Sequence, residues 1–112
     1  MARLTSRFLV DLLIRRTEAA GGFATVIAAG DDQAGTILVQ CRDRASMGQL
    51  LERRFAPGGR YVWEAVDPEN DSDSEARAAY VERRRRTDPD LWIIEVDIAN
   101  APQLVAEWAL LA

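Results

Sequence analysis

Apolar residues Phe8, Leu9, Leu12 and Leu13 recur at three- and four-residue spacing between Thr5 and Ala20, with Arg7, Asp11, Arg15 and Glu18 largely opposite them. This spacing predicts an amphipathic helix, with Thr5 or Ser6 as its N-cap and Gly21-Gly22 as its stop. The pattern then shortens. Phe23 to Ala29 is an apolar run rich in β-branched residues and ends at Gly30-Asp31-Asp32 and a turn through Gly35. From Thr36 to Arg42, Ile37, Val39 and Cys41 alternate with Thr36, Leu38, Gln40 and Arg42. These two stretches predict neighbouring antiparallel strands.

Met47 to Phe55 fits a strand or a helix by pattern alone. Pro57-Gly58-Gly59 followed by the clear strand Arg60 to Val66 makes a hairpin the simplest account, so residues 47–55 are expected as a strand. Asp67 to Ser74 is a polar, acidic connector. Ser72-x-x-Glu75 has the form of a capping box, opening a second helix that runs to about Arg86 with Ala76, Ala79, Tyr80 and Arg83 on one face. Asp88-Pro89 breaks it. Leu91 to Ile98 sets Trp92, Ile94, Val96 and Ile98 on one side and Leu91, Ile93, Glu95 and Asp97 on the other, a strand central at its start and wetter at its end. Asn100-Ala101-Pro102 opens a last helix with the apolar stripe Leu104, Val105, Trp108 and Leu111.

The order α-β-β-β-β-α-β-α implies an α+β domain: a mostly antiparallel sheet of about five strands with two to three helices on one face. Residues 1–98 are expected to form this single domain, and residues 99–112 a C-terminal helix packed on the domain or on a partner. At 112 residues the chain suffices for one core without disulfides.

All 14 basic residues are Arg, with no Lys and no His, and Cys41 is the only thiol. That removes the imidazole base, the Schiff-base or phosphate-binding lysine and the usual zinc ligands. No residue is therefore assigned as catalytic, cofactor-binding or metal-binding. The single cysteine gives no reason for an oxidising compartment. The opening segment is interrupted by Arg7, Asp11, Arg15 and Arg16, unlike a signal sequence, and no run approaches a membrane span. A cytoplasmic protein without membrane contact is the expectation. The net charge of -4 is uneven: residues 1–60 carry +3 and residues 61–112 carry -7.

Arg83-Arg84-Arg85-Arg86, with Arg77 and Tyr80 before them, have the chemistry of an anion or RNA surface, since guanidiniums grip phosphates and aromatics stack on bases. The plainer account is that these arginines point around the helix axis, complement its dipole and pair with Glu82, Asp88 and Asp90. The pI near 4.8 also disfavours nucleic acid. Asp71, Asp73, Glu75 and Glu82 follow calcium-loop spacing, but Ala76 stands where that loop needs Gly. Glu52 or Glu64 would have to serve any nuclease-like site without the lysine such sites use, and the hairpins argue against the parallel crossover it requires. Cys41, lacking a base, is expected as buried packing. Trp63 and Trp92, expected on facing strands, are core residues first. The stripe Leu104, Val105, Trp108 and Leu111 has to cover the domain or meet a partner.

The segments ARLTS, AAGGFATVIAAGD, AGTILVQ and especially AYVERRRRTDPDLWIIEV resemble a family of small bacterial proteins, the domain-of-unknown-function family DUF1491, over about residues 2–97. The resemblance implies a compact α+β fold and transfers no catalytic or binding residue. The expectation for function is a non-catalytic protein-interaction module, with a protein partner or a homodimer. The alternative is an RNA- or anion-binding protein using the arginine-rich helix.

Overall fold

The computed structural model describes residues 5–44, 46–59, 61–66 and 74–109. Its elements follow the expected order: α1 (Ser6–Ala19), β1 (Phe23–Ala28), β2 (Ile37–Asp43), β3 (Ser46–Phe55), β4 (Tyr61–Val66), α2 (Ser74–Thr87), β5 (Trp92–Asp97) and α3 (Ala101–Ala109). The α+β class and the mostly antiparallel five-stranded sheet hold, and residues 47–55 are strand.

Thr5 is the N-cap of α1, its hydroxyl accepting from the Phe8 N–H at 3.1 Å. Ser6 is instead buried and donates its hydroxyl to the Gly35 carbonyl at 2.8 Å. At the other end Gly21 takes φ +92°, a left-handed conformation that only glycine adopts freely. The β3–β4 hairpin closes with the Gly59 N–H donating to the Ala56 carbonyl.

The strand order is β1-β5-β2-β3-β4. The expected β1–β2 antiparallel pair is therefore corrected: β5 lies between them, antiparallel to β1 and parallel to β2. The cause lies in the side chains of β5. Leu91, Trp92, Ile93, Ile94 and Val96 are all buried, so both faces of this strand are apolar and its favourable place is the sheet centre. The Gly30 to Thr36 connection folds over the end of β5, with the Asp31 N–H on the Asp90 carbonyl and the Trp92 N–H on the Thr36 carbonyl. The β2/β5 pair is a parallel crossover, which the hairpins had been expected to exclude.

Helices also cover both faces of the sheet rather than one. Leu9, Val10 and Leu13 of α1 and Ala101 and Val105 of α3 close over Ile37, Val39, Cys41, Trp92, Ile94 and Val96. On the opposite face Tyr80 and Val81 of α2 pack on Leu38, Leu50, Leu91 and Ile93. The inward face of α2 carries Arg77, Tyr80, Val81 and Arg84, one residue round from the expected Ala76, Ala79, Tyr80 and Arg83; Ala79 and Arg83 are exposed. Long arginine stems fill the space between helix and sheet that a purely apolar stripe would have closed. Trp63 and Trp92 belong to the same core but sit on strands separated by β2 and β3. The capping residue Ser72 lies outside the described residues.

Candidate functional site

The α2 face of the sheet carries most of the internal charge. Glu52 on β3 is nearly buried, its side chain 8 % exposed, and accepts from the Nη1 of Arg84. The same Arg84 nitrogen donates to the Tyr80 hydroxyl at 2.8 Å. Burial acts to lower the Arg84 pKa, but the bonds to Glu52 and Tyr80 and the charge of Glu52 outweigh it, holding the guanidinium above its ordinary value. The other Glu52 oxygen lies 2.8 Å from the Nε of Arg54, which is also 3.3 Å from Glu64, the residue facing Glu52 across the β3–β4 pair. Arg42 and Glu95 form a further pair on neighbouring strands. Glu52 and Glu64 are thus joined by a guanidinium, which binds carboxylates but does not exchange protons at neutral pH.

The arginine-rich helix divides accordingly. Arg77 is buried, 1 % exposed; Arg84 is committed to Glu52 and Tyr80; Arg83, Arg85 and Arg86 face solvent. Arg83 lies over the Tyr80 ring at 6.0 Å and Arg85 is 3.9 Å from Glu82. Within the C-terminal stripe, Val105 is buried against the core and Leu104 is half-buried against it; the Trp108 and Leu111 side chains lie outside the described residues.

Cys41 lies in the core beside Ile37 and Val39. Burial pushes its thiol up to about 12, the charge of Arg77 pulling weakly the other way, so it is a thiol rather than a thiolate at neutral pH. Among the described residues no three His, Cys, Asp or Glu side chains gather as metal ligands, and no helix is long and apolar enough to cross a membrane.

A different kind of surface is found at β1. It ends the sheet, and Phe23 is 73 %, Val26 39 % and Ile27 47 % exposed. Ile27 is the extra residue of a bulge between Val26 and Ala28. Beside the start of β1 lies an open groove of about 420 Å³, lined by Gly22, Phe23, Asp43, Arg44, Asp97 and Ile98. It sits at the carboxyl ends of the parallel strands β2 and β5, and there Asp97 accepts from the Arg44 N–H at 2.8 Å. The exposed apolar edge went unseen in the sequence, where an uncharged run such as FATVIAA has the pattern of a buried strand. Nothing within that run marks it as an edge strand.

These features define a small α+β protein with a mixed five-stranded sheet between α1 and α3 on one face and α2 on the other. The chain belongs to the DUF1491 family, a protein family of unknown function, whose model matches residues 4–106. It is similar to the crystal structure of a DUF1491 family protein from Caulobacter crescentus CB15, at 35% identity over 85% of this chain and 88% of that one, with a TM-score of 0.75. The NMR structure of a DUF1491 family protein from the same organism gives 33% identity over 88% of each chain and a TM-score of 0.75. A solution structure from A. tumefaciens gives 34% identity over 92% of each chain and a TM-score of 0.67. No curated protein matches the chain at a significant level.

Proposed function

We propose that this protein is a non-catalytic protein-interaction module whose working surface includes the β1 edge. The observation that carries this reading is the exposure of Phe23, Val26 and Ile27 on a terminal strand without a charged side chain. Natural sheets protect their edges with charge, proline or a covering element, and an uncovered apolar edge is the form used for strand addition by a partner. The carboxylate chemistry lends support from the other side, since Glu52 is bound to Arg84 and Arg54, and the one thiol is buried and protonated.

The test is affinity capture from native lysate with the full chain and with a Phe23→Ser bait, scoring protein and nucleic acid in the same eluate. A protein, this chain's own copies included, retained by the wild-type bait and reduced at least fivefold by the substitution supports the reading. Nucleic acid retained instead, or nothing retained by either bait, overturns it.

A further inference from the structure

We infer that the edge of β1, unpaired among the described residues, pairs with β1 of a second copy of this chain, antiparallel about a two-fold axis, joining two five-stranded sheets into one. This deepens the interaction reading and rests on it.

Several properties of the edge suit its own copy. Phe23 to Ala29 has neither charge nor proline, so an antiparallel self-pair sets no like charges opposite one another and lacks no amide donor. The two sheet edges differ in this respect, because β4 carries Glu64 with Arg54 beside it. A two-fold axis normal to the sheet keeps each face on its own side. Thr25 then lies opposite either itself or Ile27 of the other copy, and α1 of both copies falls on one face, running antiparallel.

The charges flanking β1 are complementary under that operation. The Arg15 and Arg16 end of α1 leads into the start of β1. The opposite end of α1 is tied to the turn after β1, the Ser6 N–H donating to the Gln33 carbonyl and the Arg7 N–H to that of Asp32. Antiparallel pairing therefore sets the Arg15 and Arg16 end of one copy toward the Asp31 and Asp32 end of the other, which stays net acidic although Arg7 stands 3.6 Å from Asp32. The pairing also closes on itself: both β1 edges are consumed, leaving charged β4 edges outside, so the product is a dimer and not a filament. A six-residue strand offers a contact about 20 Å long, at the small end for stable association, so the dimer is a weak one that forms with rising concentration.

Sedimentation velocity of the full chain from about 1 μM to about 1 mM spans the relevant affinities. Thr25→Lys is the deciding variant. In its own sheet Thr25 faces Glu95, which keeps a carboxylate beside the new cation although it also pairs with Arg42, whereas across the two-fold the Cβ atoms of two like-charged lysines lie within about 8 Å. Ile27→Asp, at the exposed bulge, gives a second disruption if the first fails to fold by circular dichroism. Ala106→Lys places a charge on the exposed face of α3 as the competing surface.

The expected result is a mass rising from 12.5 kDa toward twice that value for wild type and Ala106→Lys, with dissociation constants raised at least tenfold by Thr25→Lys or Ile27→Asp. A dimer that survives both β1 substitutions, or is lost only with Ala106→Lys, overturns the inference. So does a wild-type monomer at every concentration. If such a monomer still retains another protein through Phe23, self-pairing falls while the interaction reading stands.

Discussion

Arg84 on α2 donates to the carboxylate of Glu52 on β3, 32 residues earlier in the chain, and this bond fastens the second helix to its face of the sheet. Removing one member of a mostly buried pair leaves the other charge without its partner, which costs more than the pair contributes net. Glu52→Leu should destabilise the fold by about 2–4 kcal/mol in chemical denaturation. Glu52→Leu with Arg84→Met should recover at least half of that loss, and a strictly additive double variant would contradict the coupling.

Arg83, Arg85 and Arg86 should behave differently from Arg84 although they adjoin it. They face solvent, and replacing any one by Ser should change stability by no more than about 0.5 kcal/mol. Denaturation of the single variants checks this; a loss from any of them comparable to that from Arg84→Met would show a structural role for the exposed guanidiniums.

Cys41 makes the fold sensitive to alkali. Its folded-state pKa is raised to about 12, above that of an unfolded thiol, so the stability from its burial is complete below the unfolded value of about 8.5 and declines as pH rises toward 12. Wild type should lose about 1–2 kcal/mol relative to Cys41→Val between pH 8 and pH 10. Parallel stability curves for the two proteins across that range would show that the thiol titrates normally when folded.

Gly35 has no room for a side chain. A Cβ there would lie 2.2 Å from the Asp90 carbonyl oxygen and 2.9 Å from Cδ1 of Trp92. Gly35→Ala should therefore force the Gly30 to Thr36 connection off the end of β5 and cost about 1–3 kcal/mol, read as a lowered melting temperature. An unchanged melting temperature would contradict this close approach.

The sequence carried the local elements well because each was written in nearby residues. Thr5 and Gly21 bound α1, Pro57-Gly58-Gly59 joins β3 to β4, and the two-sided apolar pattern of Leu91 to Val96 indicated a central strand. Strand order was less legible. Nothing within Phe23 to Ala29 states that its neighbour is β5, some 70 residues on, rather than β2. The orientation of α2 was hidden for a different reason: Arg77 and Arg84 have the composition of a surface helix, and only the position of Glu52 turns Arg84 inward. The exposed β1 edge follows from the strand order, since a strand displaced to the end of the sheet keeps the apolar sequence of an interior one.

Hydrogen exchange of the β1 amides, compared at about 10 μM and about 1 mM, measures the occupation of that edge most directly. Concentration-dependent slowing across Phe23 to Ala28, with β4 amides exchanging equally in both samples, is the predicted result. Equal exchange of β1 at the two concentrations would mean that no second strand docks there.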